Sequence, residues 1–308
     1  MSLLAIVLVL LVEQVRPLPV EQWLRAPLAR IAGLFEDKFN EGGVASGRIA
    51  WALLVGLLVG GCVLLHLALV ALSPFVAFLF SVGVLYLTMG MRHESHYFTD
   101  IHAALRLGEL DRARTQLSEW TGRDCSALSE SDTVRQAIEQ ALVAAHRNVF
   151  GVVFWFLVLP GPTGAVLYRL ASFLDRAWGA RQDEEIGRFG QAARQAFQWI
   201  DWLPVRLTAV SFSVVGNFED AILCWRTQAG QCERPSSGIL LSSGGGALGV
   251  RLGAPRQEAG RFVDRPELGC GEEARVEFMQ GTVGLIWRAL CLCLLVLALI
   301  GIAGWVAP

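Results

Sequence analysis

The chain has 308 residues, 54% hydrophobic and 18% charged, with a mean hydropathy of +0.47. Ordinary soluble domains carry about 25% charged residues, so this much apolar surface calls for lipid. A net charge of −2 and a pI near 6.2, with no basic tract, exclude nucleic acid as a partner. The basic residues include one lysine, Lys38, the others being arginine. Cys62, Cys125, Cys224, Cys232, Cys270, Cys291 and Cys293 are odd in number and scattered, unlike a disulfide framework. They point to a reduced, cytoplasm-facing environment.

In chain order, Leu3 to Val12 is a short apolar run without a preceding positive charge or a following small-residue cleavage site. It reads as a retained, short or tilted membrane helix rather than a signal peptide. A bilayer core about 30 Å thick needs roughly 20 helical residues. Three uncharged runs meet that length: Ile49 to Leu72, Pro74 to Met91, and Ala289 to Pro308. The first two form a tight hairpin about Ser73. Arg92 to Arg147 reads as a soluble segment of two amphipathic helices. Leu110, Ala113, Leu117 and Trp120 mark the first, Thr121-Gly122 ends it, and Val134, Ile138, Ala141 and Leu142 mark the second after caps at Ser131 and Asp132.

Asn148 to Tyr168 is long enough to cross, but Pro160-Gly161-Pro162 interrupts it. Arginines follow Val12, fill the 92–147 segment and recur after Arg169, and the positive-inside rule keeps all three on one side. That favours a re-entrant hairpin with its tip at Pro160-Pro162 over a kinked span. Ile186, Phe189, Ala193, Phe197 and Ile200 form another stripe, and Leu207 to Val215 is apolar but too short to cross. Cys232 to Gly271 is rich in Gly, Ser and Pro and reads as loops with short helices around a flexible centre at Gly244 to Gly249. The resulting fold class is all-α: a polytopic helical membrane protein with cytoplasm-facing amphipathic helices and loops. Its five sections are residues 1–91 (membrane helices), 92–147 (soluble helices), 148–215 (proline-broken membrane segment and amphipathic helices), 216–281 (Gly/Ser/Pro-rich loops) and 282–308 (a C-terminal transmembrane helix).

Several groups are candidates for chemistry. Lys38 is followed by Phe39, so there is no P-loop. The Gly244 to Gly249 run would offer backbone amides to an anion only between a strand and a helix, which the sequence does not establish. His93 and His96, with Glu94, Asp100 and His102 nearby, are a weak metal-ligand set lacking the His-Glu-x-x-His spacing; a solvated cluster at the membrane interface is the commoner arrangement. His66 lies inside an apolar run, where a lone histidine usually bonds a neighbouring helix. Cys291 and Cys293 face different directions and read as packing residues. Glu139, Asp175 and Asp201, with Arg169 and Arg206, lie beside apolar segments and serve either as a site or as ties between helix ends.

From Gly108 onward the chain resembles the CobD/CbiB superfamily of cobalamin biosynthesis. The resemblance runs through Gly108-Glu109-Leu110-Asp111-Arg112-Ala113-Arg114, Gly122-Arg123-Asp124, Glu139, Phe154-Trp155, Tyr168-Arg169, Leu174-Asp175, Gly179, Phe189-Gly190, Ala192-Ala193-Arg194, Pro204, Arg206-Leu207-Thr208-Ala209 and Gly246 to Gly253. It spans about half the chain. Enzymatic members of that family join an aminopropanol group to adenosylcobyric acid. Several acidic or amide positions of the pattern are replaced by Val143-Ala144, Arg147, Ser172, Phe197-Gln198 and Ser236, and magnesium and phosphate chemistry favours the hard oxygens so lost.

That loss, with Asp201 to Leu207 and Leu8 to Glu13, resembles the AmpE branch, linked to β-lactamase regulation and cell-wall sensing. The leading expectation from the resemblance is therefore an inner-membrane regulatory or sensory protein of bacteria. The alternative is an amide-forming cobinamide synthase acting on a corrinoid, with magnesium, in which Asp124, Glu139 and Asp175 are the catalytic candidates. Arg123, Arg169, Arg206, Gly246 and Gly249 would then bind ligand. A third reading is a scaffold whose charge pairs only join helices. Expected partners are the lipid bilayer, an anionic or amphipathic small molecule and a second copy of the chain.

Overall fold

The computed structural model describes residues 2–15, 26–181, 185–254, 256–258, 261–263 and 265–306. The arginines that follow Val12, Arg16 and Arg25, lie outside the described residues, as do the last two residues of the C-terminal apolar run. The described chain is all-α apart from a two-stranded antiparallel hairpin, β1 (Arg256–Glu258) with β2 (Arg261–Val263). It divides into two compact units, Met1–Gly90 with Arg147–Pro204, and Met91–His146 with Val205–Pro308.

The first unit begins with α1 (Ser2–Val15), α2 (Ala26–Phe39), α3 (Val44–Leu72) and α4 (Pro74–Thr88). Extended Ser73 closes α3, and Pro74 starts α4 at a position where its missing N–H costs nothing. The expected hairpin is therefore present, but its second arm is shorter than the apolar run. Met89 turns extended (ψ 168°), so α4 has 15 residues rather than extending to Met91. At 1.5 Å per residue that is about 22 Å, short of a bilayer core.

Asn148 to Tyr168 turns back on itself. The helix that begins as α7 (Glu130–Ala145) passes through a π turn at His146–Phe150 and ends as α8 (Gly151–Val158); α9 (Thr163–Leu174) returns alongside α8. Pro160 follows the C-cap of one arm and Pro162 is the N-cap of the other, so neither proline breaks a helical hydrogen bond. Gly161 takes the left-handed φ (+63°) that the tip requires, and Thr163 Oγ1 donates to Pro160 O at 2.8 Å. The tip lies against His66, whose ring leaves no room for a Cβ at Gly161. A core of Ala50, Leu54, Leu170, Leu174, Trp178, Ile186 and Phe189 ties α3 and α9 to the segment before α10 (Gly190–Val215).

In the second unit, α5 (Met91–Arg106) packs on α6 (Leu110–Thr121) and α7. Gly122 ends α6 in the left-handed region as its position in the sequence suggests. The cap of α7 is Ser129, two residues before the expected pair, its Oγ accepting from Asp132 N at 3.1 Å. α11 (Phe218–Gln228) and α12 (Pro235–Leu248) form a packed helical pair, and α13 (Val276–Val306) completes the unit.

The expected flexible centre at Gly244 to Gly249 is instead buried helix up to Ala247, with Gly249 as the left-handed C-cap. A Cβ on Gly246 would come within 2.6 Å of Asp220 O, and one on Gly245 within 2.9 Å of Gly269 Cα. Glycine here removes side chains so that backbones can touch. Among the described residues three helices are long and apolar enough to cross a membrane: Val44–Leu72, Glu130–Val158 and Val276–Ala303. The molecule is an all-α membrane protein.

Candidate functional site

In the second unit Glu139 is the centre of a polar knot. Its side chain, 8% exposed, projects from α7; Oε1 accepts from Gly253 N–H at 2.8 Å and Oε2 pairs with Arg265 at 2.9 Å. The glycine-rich run makes this contact available. After Gly249, Val250 and Leu252 bridge to Glu272 and Leu268, and Gly253 adopts φ +67°, turning its amide to the carboxylate. A Cβ at Gly253 would also overlap Pro266 O, so the position excludes other residues on two grounds.

Beside the knot a pocket of about 50 Å³ is lined by Arg135, Arg251, Gly253, Ala254, Glu267 and Glu273. Two guanidinium groups and two carboxylates around backbone amides give it both signs of charge. The nearby Cys232 thiol is pushed up by burial, the dominant cause.

The first unit holds a second group, delivered by two π turns. Arg147 and Asn148 lie in the turn at His146–Phe150, and Asp175 opens the turn at Asp175–Gly179. Arg147 pairs with Asp175 at 3.3 Å and stacks its guanidinium 5.0 Å from the Phe197 ring centroid. Arg169 donates to Asn148 Oδ1, and Tyr168 OH donates to Asp201 Oδ1 at 2.8 Å. Asp175 and Arg169 are buried, as is Asp201. π turns insert a residue into a helix and recur at functional sites; here they aim opposite charges at one another inside an apolar surround.

The sequence candidates thus divide between the units. Arg169 and Asp175 meet through Arg147 and Asn148, neither of which the sequence reading selected as a site residue; Arg147 had stood out only as the loss of an acid. Glu139 meets the end of the glycine run directly at Gly253 N–H, and its other oxygen is held by Arg265, which no sequence motif points to. Asp124 lies elsewhere: exposed in the loop after α6, it accepts Ser126 N–H at 3.0 Å, and that bond holds its carboxyl below the usual range. Arg123 is exposed beside it and Arg206 is half-buried on α10. Gly246 and Gly249 serve packing and capping rather than presenting free amides to a ligand.

His96 Nε2 lies 3.4 Å from Arg92 Nε, and the side chain of His93 lies outside the described residues. Among the described residues no three His, Cys, Asp or Glu side chains converge as a metal site. Glu139 and Asp175 are committed to arginine or backbone partners and Asp201 to Tyr168, so these buried carboxylates do not converge as a set that fits a magnesium ion.

Comparison with known proteins gives this arrangement a lineage. The family described as CobD/Cbib protein matches residues 3–286. The chain is 35% identical over 280 residues to cobalamin biosynthesis protein CobD of Stutzerimonas stutzeri, covering 90% of this chain and 89% of the relative. CobD of Chromobacterium violaceum is 36% identical over 245 residues, 80% of this chain and 78% of that one. Cobalamin biosynthesis protein CbiB of Salmonella typhimurium is 26% identical over 269 residues, 84% and 83%. No solved structure matches.

These relatives overturn the expectation of an AmpE-type regulator of β-lactamase expression. The replaced acids that suggested it occur in a chain whose similarity to cobalamin proteins runs nearly end to end, and one of the replacements, Arg147, has a built partner in Asp175. A match across residues 3–286, with relatives above 30% identity along most of their length, makes this chain a member of the CobD/CbiB family.

Proposed function

We propose that the protein acts in cobalamin biosynthesis in the bacterial inner membrane, as an amide-forming synthase that joins aminopropanol to a corrinoid carboxylate. The observation that carries this reading is the near full-length similarity to relatives named for that pathway. Amide formation from a carboxylate and an amine expels one carboxylate oxygen, which leaves as phosphate once a phosphoryl donor such as a nucleoside triphosphate has activated it; the site must hold the carboxylate, receive the amine beside it and accept the amine's proton. In the pocket next to Glu139, Arg135 and Arg251 would hold an anionic group, because guanidinium forks match carboxylate and phosphate oxygens. Glu267 and Glu273, on the same lining, would hold an ammonium group. Glu139, locked by Arg265 and Gly253, is a positioning residue that fixes the pocket's glycine wall.

The test is complementation of a bacterial strain unable to attach aminopropanol to its corrinoid, together with corrinoid binding by the purified protein. Restored growth and saturable binding are expected. Failure of both would remove the enzyme reading and leave the charge pairs as ties between helices. Within an active protein, Arg251→Gln should raise KM for the corrinoid carboxylate and Glu273→Gln KM for the amine, both with little change in thermal stability, since both side chains are exposed.

A further inference from the structure

The exposed side chains of α10 follow a fixed order along the helix. Gln191 and Gln195 come first, Trp199 and Trp202 next, then Leu203, Leu207, Val210 and Val214. Steps of three and four residues place them on one stripe. Trp199 is 82% exposed, and none of the exposed α10 residues from Trp199 to Val214 is charged. The other face is buried through Phe197, Asp201, Val205, Ala209 and Phe212.

A contiguous apolar stripe of this kind marks an interaction surface. The order polar, tryptophan, aliphatic is that of a helix passing from water through the headgroup region into hydrocarbon, where indole rings favour the boundary. Leu53, Leu57 and Leu64 of α3, a helix long and apolar enough to cross, are exposed in the same manner. Helices that pack on one another within lipid use small residues at the contact, and this stripe carries only Trp, Leu and Val. Average hydropathy conceals it, because the half-buried Gln198 and the buried Asp201, Thr208, Ser211 and Ser213 contribute to the same window.

We propose that α10 is a lipid-facing helix, with Trp199 and Trp202 at the headgroup level and Leu203 to Val214 against the acyl chains of a phospholipid bilayer. The inference is independent of the corrinoid reading. Its failure would leave that reading standing.

The test is a photoreactive benzoylphenylalanine placed singly at Leu207, Val210 or Gln191 of the full chain and irradiated in native membranes. Phospholipid adducts by mass spectrometry are expected at Leu207 and Val210, with several-fold less at Gln191. A crosslinked dimer of this chain, an adduct to another protein, equal lipid adducts at all three positions or no adduct at any would each overturn the proposal. Val214 replaces either aliphatic position if a variant fails to accumulate.

Discussion

Glu139 shows how a residue can be singled out for an incomplete reason. Its place at the edge of an apolar segment flagged it, yet its role depends on Gly253 and Arg265, more than a hundred positions away in the chain. Removing one partner of a buried ion pair costs about 3–5 kcal/mol because the other charge is left unpaired. Arg265 is 21% exposed and partly solvated when left alone, so Glu139→Ala should lower stability by less than that figure. Glu139→Gln, which keeps an acceptor for Gly253 N–H, should lower it less; comparison of unfolding midpoints in detergent separates the two.

Asp124 supplies a pH signature of its own. Its folded-state pKa lies below its unfolded value, the Ser126 backbone bond being the largest cause. Its contribution to stability is therefore complete above the ordinary aspartate pKa and lost as pH falls through the depressed value. Asp124→Asn should remove that part of the acid slope, as acid-unfolding curves of the two proteins would reveal. Histidine placement was less legible at this scale. His66 reads from sequence as a lone intramembrane histidine, and only the fold brings Gly161 of the hairpin tip against its ring.

Whole elements were easiest to read where apolar periodicity and a stop signal coincide. α6, with Gly122 behind it, is an example. The hairpin at Pro160-Gly161-Pro162 was also legible, because paired prolines around a glycine fit a turn better than a helix interior. The α12 glycines misled for a physical reason: intrinsic propensity says Gly disfavours helix, and only neighbours at backbone distance make its absent side chain an advantage. Gly246→Ala should thus destabilise the protein, despite raising helix propensity, by about 1–3 kcal/mol, the usual cost of overpacking. Denaturant titration would measure it. On α10, Val210→Arg should impair membrane insertion, since an arginine at a helix centre costs about 2.5–3.5 kcal/mol on insertion scales; carbonate extraction of membranes would show the loss.

For the molecule as a whole, composition made membrane residence legible before any element was drawn. Apolar content cannot tell a lipid-facing helix from one buried in protein. Glu130–Val158 qualifies by length and hydropathy, yet two-thirds of its most apolar stretch is buried within the protein, whereas only 11% of the corresponding stretch of Val44–Leu72 is. That difference explains why the charge-bearing π turn can sit in the former helix. The functional reading changed at this scale too. Counting lost acids favoured a regulator, whereas similarity across the chain restores the cobalamin lineage, and one of the replacements, Arg147, has a local partner in Asp175.

The π turn at His146–Phe150 also makes the helix sensitive to its own arithmetic. One α-helical residue corresponds to about 100° of rotation and 1.5 Å of rise, so deleting Val149 would let an ordinary α-helix run through with its hydrophobic character almost unchanged. The flanking helices would keep nearly the same phase, since the π turn already absorbs one inserted residue, but the residues of the turn itself would be re-aimed, carrying Arg147 and Asn148 away from Asp175 and Arg169. A one-residue deletion there should be far more damaging than alanine at the same position, and hydropathy would give no warning of it.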